Sequence, residues 1–378
     1  MPAHVGCGVV VSQWFMGGQE MPSVIERILD LARWAPSGDN TQPWRFEIKD
    51  DRHVLVHGFD TREHCVYDLG GFGSQIAHGA LLETLRIAAT SYGRRTEVVR
   101  SEDAYETRPI YDVRFYQDAQ IESDPLLPYI ERRCTQRRPF RMHPLTPEEK
   151  KALEDSVGNA YTIQWIEGWG GRWAMSKLQF CSAWIRLTIP EAYEVHRSII
   201  QWNARESEDR IPDAAVGLDP LTLKLMRWAM GSWQRVAFLN EYLAGHVLPR
   251  IELDLLPALR CAAHFALLRN DEPQGIDDAV DSGRALQRFW LTATQLGLQL
   301  QPEMTPLIFS RYVRLGVPFT RFEPATRRAR EVAILLERLL AVPPGRAVFM
   351  GRVGHGHPPL ARSTRHPLDK LLVPSSAE

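Results

Sequence analysis

The chain has 378 residues, which is too long for one average domain and suits two or three. Hydrophobic residues make up 44% of it, and 45 Lys and Arg balance 46 Asp and Glu. A chain of this length and composition buries a substantial core, and its net charge gives no indication of a nucleic-acid or membrane partner.

The cysteines are odd in number, lie far apart and form no CxxC pair, which predicts free thiols in a reducing compartment. They are Cys7, Cys65, Cys134, Cys181 and Cys261. His355 and His357 have no third ligand nearby, so we predict a flexible loop rather than a metal site. Residues 1–21 lack the basic start of a signal peptide and are predicted to be a poorly ordered leader. No apolar run reaches transmembrane length, and we predict a cytoplasmic protein.

The first third of the chain alternates helices and strands. Ser23 and Glu26 form a capping-box pattern that predicts a helix over 23–34. Period-two alternation predicts four strands, and a helical pattern that ends at Gly93 predicts one long helix between them. The strands are 44–48, 53–57, 95–100 and 110–116, and the helix is 73–93.

A linker over 117–130 separates this part from a second region of the same character. There Thr146 is a predicted N-cap, followed by Pro147 at the first helical position. The pattern continues with strands over 161–167, 257–268 and 347–354, and with helices over 172–187, 277–298, 305–315 and 324–341. Residues 188–257 are rich in Trp, Met and Arg and indicate two or three amphipathic helices outside the alternation.

The first candidate for chemistry is the loop over 35–44, APSGDNTQPW. Its backbone amides and the polar side chains of Ser37, Asn40 and Gln42 suit the edge of a planar heterocycle. Asn, Gly, Asp and Pro are also ordinary turn formers, so a plain turn is the alternative.

A basic cluster and a basic tail are the second and third candidates. Arg132, Arg133, Arg137 and Arg138 surround Thr135, a combination that suits a phosphate group. Arg362 and Arg365 flank two hydroxyl residues near the C-terminus and could close over the same phosphate. A solvated basic face and a polar tail are the alternatives. Gly283 and Gln287 on the long second-half helix indicate close helix packing, with ligand approach as the alternative.

These segments together resemble the nitroreductase family of FMN enzymes. APSGDNTQPWRF is similar to the family's APS-x-x-N-x-QPW-x-F signature, RRCTQRRPF to its opening R-R-S-x-R-x-F segment, and DSGRALQRFWLTATQLGL to its central helix. The resemblance implies that one side of the FMN site holds the phosphate and ribityl chain and the other side lines the ring. The phosphate residues would be Arg132, Arg133, Thr135, Arg137, Arg362 and Arg365, and the ring residues Pro36, Ser37, Gly38, Asn40 and Gln42. Pro302, Glu303 and Met304 match the segment whose backbone amide donates to flavin N5, although the family usually has Gly where Met304 stands.

The order of the motifs departs from that of single-domain relatives, in which the arginine segment comes first. The chain resembles the two-domain homologues of the Acg and MoeY types, which implies an α+β fold made of two fused halves, 22–120 and 131–378. The halves would form an intramolecular pseudo-dimer around helices 73–93 and 277–297. They would share one complete FMN site per chain, with the helical insertion over 188–257 as a lid.

The resemblance implies an FMN-dependent oxidoreductase that transfers hydride through flavin N5 from NAD(P)H or an organic molecule to a conjugated acceptor, and no catalytic acid or base is identified. One alternative is a protein that sequesters FMN beneath the insertion. Another is a biosynthetic dehydrogenase or oxidase that acts with a protein partner, and further homodimerisation stays open.

Overall fold

A computed structural model describes residues 21–374 of the chain. The predicted leader, apart from Met21, therefore lies outside the described residues. None of the described helices combines the length and apolar character that a bilayer crossing requires.

The first half is built on an antiparallel sheet and two helices. Helix α1 (Val24–Ala32) begins with the predicted capping box, in which the Ser23 side chain accepts from the Glu26 amide and the Glu26 side chain accepts from the Ser23 amide. The strands are β1 (Trp44–Asp50), β2 (His53–Gly58), β3 (Arg94–Arg100) and β4 (Ile110–Gln117), with helix α2 (Phe72–Thr90) between β2 and β3 in the chain. They lie in the order β1-β2-β4-β3, and every pair is antiparallel.

The second half starts with helix α3 (Pro147–Ser156), which begins at the predicted N-cap Thr146 and has a capping box with Glu149. It is followed by β5 (Tyr161–Ile166) and α4 (Gly168–Thr188). The next segment contains short elements that belong to neither four-stranded sheet. They are α5 (Pro190–Ile199), β6 (Ile200–Gln201), β7 (Glu206–Ser207), β8 (Ile211–Pro212), α6 (Pro220–Ala229), α7 (Trp233–Tyr242), α8 (Val247–Arg250), a π-helical turn (Ile251–Leu255) and α9 (Leu256–Leu259).

The regular alternation then resumes and completes a second antiparallel sheet in the order β10-β11-β9-β5. The elements are β9 (Ala263–Arg269), α10 (Ile276–Gln295), β10 (Gln299–Pro302), α11 (Thr305–Leu315), α12 (Glu323–Leu339), β11 (Ala347–Gly354), β12 (Arg362–Ser363) and α13 (Leu368–Leu371). Both faces of this sheet are covered. Phe265 and Leu267 pack towards α10, whereas Ala266 and Leu268 pack towards α4 and α12.

The prediction of a strand over 257–268 is wrong in its first part, because residues 256–259 form α9 and the strand begins at Ala263. Pro257 lies in the first turn of α9, where its missing N–H is not needed, whereas a sheet would lose a ladder bond there. The period-two pattern did not reveal β10, which is only four residues long.

Helices α2 and α10 cross with their backbones in contact. A Cβ atom added to Gly79 would lie 1.8 Å from the carbonyl oxygen of Val280, and one added to Gly283 would lie 2.0 Å from that of Ile76. The Gln287 side chain on α10 donates to the Thr84 hydroxyl on α2 at 2.9 Å, and Arg288 on α10 pairs with Glu83 on α2 at 3.0 Å. The interpretation of Gly283 as a packing residue is therefore confirmed.

Candidate functional site

A cavity of about 780 Å³ lies between the two halves. This volume is typical of small-molecule sites in proteins. Its wall draws on α2 and the loop over 36–40 from the first half, and on α10, the segment 301–305 and residues 361–365 from the second. Much of the remaining wall comes from residues 196–254.

The loop that follows α1 has an unusual backbone. Asp39, Asn40 and Gln42 have φ values of 52°, 64° and 48°, in the left-handed region that residues other than Gly rarely adopt. The Ser37 hydroxyl accepts from the Gln42 amide at 3.0 Å and closes the loop on itself. Pro36, Ser37, Gly38, Asp39 and Asn40 line the cavity.

Two side chains of this loop fasten it to the second half. Gln42 is fully buried behind the loop, where its amide nitrogen donates to the Glu208 carbonyl at 2.8 Å and its oxygen accepts from the His366 amide at 2.9 Å. Asn40 donates to the same Glu208 carbonyl at 3.0 Å. Gln42 does not line the cavity, whereas Asn40 does. The buried Oδ1 atom of Asn40 has no hydrogen-bond partner in the described chain.

Three arginines on one wall form the most strongly charged part of the cavity. Arg133 donates to the Trp34 carbonyl at 3.1 Å, Arg362 to a main-chain carbonyl at 2.8 Å and Arg365 to the Ala35 carbonyl at 3.0 Å. No carboxylate within residues 21–374 forms an ion pair with any of the three. Arg133 also lies over the Trp290 ring, with 4.6 Å from its guanidinium carbon to the ring centre.

Burial without a counter-charge disfavours the charged forms of Arg133 and Arg365. Burial lowers the pKa of Arg133 to about 10, with a smaller contribution from Arg362. Burial, followed by the charges of Arg133, Arg362 and Arg33, lowers the pKa of Arg365 well below its usual value. We call Arg133, Arg362 and Arg365 the arginine set. An anion placed among them would relieve both penalties.

The other members of the predicted arginine segment are placed differently. Arg137 and Thr135 line the cavity, and Arg137 donates to the Ala215 carbonyl at 3.2 Å. Arg132 is exposed, lies over the Tyr129 ring and is not part of the cavity wall. Arg132 and Arg133 thus differ in exposure at the end of a turn in which the Arg133 amide donates to the Tyr129 carbonyl at 3.0 Å.

The segment 301–304 lies at the end of β10, with Pro302, Glu303 and Met304 all on the cavity wall. The Glu303 amide donates to the Met350 carbonyl at 2.8 Å, so the second sheet already uses that donor. Met304 precedes α11, and its sulfur accepts from the Met350 amide at 3.4 Å.

A buried charged cluster that the sequence pattern did not reveal supports this segment. The Glu303 carboxylate lies 2.7 Å from His264 Nδ1 and 3.7 Å from Arg352 Nε. Burial alone would disfavour a charged imidazole, but Glu303 and Cys261 outweigh it and raise the pKa of His264 to about 10. The imidazolium then donates from both ring nitrogens, since Nε2 lies 2.9 Å from the Ala258 carbonyl.

A second polar group on the wall is formed by Tyr67, His196, Arg186 and Asp254. The Tyr67 hydroxyl lies 3.0 Å from His196 Nε2, and Arg186 pairs with Asp254 at 2.6 Å. Burial, with the nearby charge of Arg186, lowers the pKa of His196 to about 3. Burial raises the pKa of Tyr67. The histidine is therefore neutral and the phenol protonated at neutral pH.

The structure brings most of the predicted site residues to one cavity and leaves Gln42 and Arg132 outside it. It adds Asp39 from the predicted loop itself, and it adds residues from distant parts of the chain, which are Tyr67, Arg186, His196, Asp254 and Arg352. Within residues 21–374, no cluster of three or more His, Cys, Asp and Glu side chains has an arrangement that could hold a metal ion.

No protein-family model matches the chain. A curated relative is the uncharacterized protein MT1398 of Mycobacterium tuberculosis (strain CDC 1551 / Oshkosh), 24% identical over 356 residues. The match covers 88% of this chain and 48% of the relative, so the chain spans about half the length of that protein.

The chain is also similar to two solved structures, both at a TM-score of 0.32. One is a nitroreductase with bound FMN from Bacteroides fragilis NCTC 9343, 11% identical, with 62% of this chain and 90% of that chain covered. The other is a nitroreductase-like family protein from Bacillus cereus, 13% identical, with 68% and 98% covered.

Proposed function

We propose that the chain binds one FMN in the cavity between its halves and uses it as an oxidoreductase. The observation that carries the proposal is the arginine set, three cations without a carboxylate partner in the described chain, of which Arg133 and Arg365 are buried and Arg362 is half-buried. The loop whose sequence resembles the APS signature of FMN enzymes lies on the same cavity.

The residues present fit a phosphate group. The Nε atoms of Arg133 and Arg362 are buried and have no hydrogen-bond partner among the described residues. Both belong to side chains on the cavity wall, so a phosphate there would supply the missing acceptors. Thr135 adds a hydroxyl donor to the same wall, whereas the Ser363 hydroxyl already donates to the Arg210 carbonyl at 2.8 Å.

FMN, when bound, supplies hydride chemistry at its N5 atom. The chain's own residues would bind and orient it. The arginine set would hold the phosphate, and residues 36–40 and 302–304 would lie against the ring. The two halves would then act as the pseudo-dimer that the motif order implies, because each contributes one side of the site.

The wall formed by residues 196–254 favours a second candidate, in which the chain sequesters FMN. Asn240 on α7 donates to the Leu187 carbonyl at 2.7 Å, and Arg250 donates to the Phe180 carbonyl at 2.6 Å. These bonds hold the insertion against α4 as a cover over the cavity. A cover that stays closed would keep reductants and acceptors away from the cofactor.

Equilibrium dialysis of FMN against the purified protein tests the proposal. We expect one FMN per chain, and we expect Arg133→Ala to raise the Kd about 10- to 100-fold, because charge-assisted hydrogen bonds are lost. Arg132→Ala is the matched control, since the adjacent side chain lies outside the cavity, and its Kd should stay within about twofold of the wild type. A protein that takes up no FMN, or equal effects of the two variants, would refute the proposal.

Anaerobic addition of NADH or NADPH to the loaded protein separates the two candidates. An oxidoreductase loses the flavin absorbance near 450 nm (a property of FMN) within seconds to minutes and recovers it with an acceptor. A sequestering protein keeps the absorbance unless its cover opens. The nicotinamide that reduces the flavin, NADH or NADPH, is then identified as the hydride donor.

A further inference from the structure

The cavity wall contains two polar sets that no hydrogen bond or ion pair joins within the described chain. One is the arginine set, which is cationic. The other, formed by Tyr67, His196, Arg186 and Asp254, carries no net charge, because Arg186 and Asp254 neutralise each other. The second set therefore offers no net charge with which a charged ligand group could pair.

The cavity wall formed by residues 199–253 is largely aliphatic, with Thr222, Asn240 and His246 as its polar members. It includes Leu225, Met226, Met230, Leu239, Leu243 and Leu253. No Phe, Tyr or Trp of the segment 188–257, all of which the structure describes, belongs to this wall. Aromatic ligands are usually held by ring stacking, whereas aliphatic and methionine side chains adapt to chains and irregular apolar shapes. The wall thus favours an aliphatic ligand.

Two observations connect this aliphatic wall to the elements that carry the neutral set. Leu253 is adjacent to Asp254 in the π-helical turn, and the Tyr193 hydroxyl on α5 donates to the Met230 carbonyl at 3.1 Å. Gln179 and Arg186 are seven residues apart on α4 and so share one face of that helix.

Gln179 supplies the observation that points to a ligand. It is 4% exposed and lies on the cavity wall, and its amide nitrogen has no hydrogen-bond partner among the described residues. A buried NH2 group without an acceptor costs free energy that a ligand oxygen would recover. The Tyr67 hydroxyl and its partner His196 offer further hydrogen bonds on the same wall.

We propose that this part of the cavity binds an uncharged aliphatic molecule with one carbonyl or hydroxyl oxygen, which Gln179 and Tyr67 hydrogen-bond. The inference rests on the proposed function, because such a molecule would lie in the same cavity as the FMN. It describes this ligand as a molecule with an aliphatic body and a neutral polar head.

Isothermal titration of the purified full chain, saturated with FMN, with 2-decanone and with decanoate tests this inference. We expect 2-decanone to bind at one site per chain, and decanoate at least tenfold more weakly, because a carboxylate loses its hydration in a neutral apolar compartment. Gln179→Leu keeps the size of the side chain and removes its amide, and we expect about tenfold weaker binding of 2-decanone. Tyr67→Phe should weaken it in the same direction.

Gln234→Leu is the matched control, because Gln234 is exposed on α7 and lies outside the cavity wall. FMN affinity is measured in the same samples and should not change in Gln179→Leu. Equal binding of 2-decanone and decanoate, or equal binding of 2-decanone by wild type, Gln179→Leu and Tyr67→Phe, would overturn the inference. Failure of the wild type to bind FMN would instead overturn the proposed function, and the ketone titration is then run on the flavin-free chain.

Discussion

Replacing Gly79 by Ala is the sharpest perturbation that the structure suggests. The added methyl group would lie 1.8 Å from the Val280 carbonyl oxygen and 2.9 Å from the Cα atom of Gly283. Ordinary contact begins near 3.4 Å, so α2 and α10 would have to separate by about 1.6 Å at their crossing. Both neighbours are backbone atoms, and no side-chain rotation can relieve the clash.

The expected loss of stability follows from two opposing terms. Ala is a better helix former than Gly by about 1 kcal/mol. Overpacking costs typically about 1–3 kcal/mol and more where backbone must move, and separation of the helices also loosens apolar contacts along their length. Because the clash is with backbone, the cost lies at the upper end of that range, and after the helix-propensity gain we expect the free energy of unfolding of Gly79→Ala to fall by about 2 kcal/mol or more.

Urea unfolding followed by circular dichroism measures the change. Gly170→Ala is the matched control, because Gly170 lies on α4 with nothing within 4 Å of the added Cβ. That variant should be as stable as the wild type or more stable by up to about 1 kcal/mol. If Gly79→Ala unfolds at the same urea concentration as Gly170→Ala, the backbone contact between α2 and α10 does not exist in solution. FMN binding should weaken in Gly79→Ala, because Ile76 on α2 and Leu286 on α10 line the cavity and would move when the two helices separate.

Two further predictions concern pH. Burial raises the pKa of Asp39 from 3.8 to about 6, with Arg137 opposing the shift and Asp68 adding to it. Between pH 3.8 and about 6 the folded state therefore binds more protons than the unfolded state, so the wild type loses stability as the pH rises through this range. The stability of Asp39→Asn relative to the wild type should therefore rise between pH 3.8 and about 6 and stay constant above pH 6. A difference in urea titrations that does not depend on pH would contradict this. His264→Gln leaves Glu303 without its closest partner and should cost about 3–5 kcal/mol near neutral pH. Because the folded pKa of His264 is about 10, that deficit should be largest below pH 6.5 and shrink as the pH rises towards 10, whereas a deficit that grows with pH would refute the charged pair.

Local signals determined much of the fold. The capping boxes at Ser23 and Thr146 mark the starts of α1 and α3, and the strand over 347–354 has the predicted bounds. These features depend on neighbours within a few residues, which a single sequence contains in full. The α9 helix shows the limit, since an apolar run of this length suits a strand or a buried helix equally.

The candidate site was predictable only in part, for the same reason. The residue types of the loop over 35–44 and of the arginine segment suggest a cofactor, yet nothing local distinguishes Arg132 from Arg133. Their different exposure depends on how residues 133–136 lie against β10, where the Gln136 amide donates to the Leu300 carbonyl at 3.1 Å.

Tertiary structure alone joins groups that are far apart in the chain. Tyr67 and His196 are 129 residues apart and meet at 3.0 Å, and Gly79 meets Gly283 because two helices from different halves cross there. The side-chain amide of Gln179 can likewise be identified as unpaired only when its burial is known. The sequence by itself determined most of the helices and strands and the types of residue available to the site. Packing of the two halves decided which polar groups are left without partners, and those groups define the site because a buried donor without an acceptor is costly.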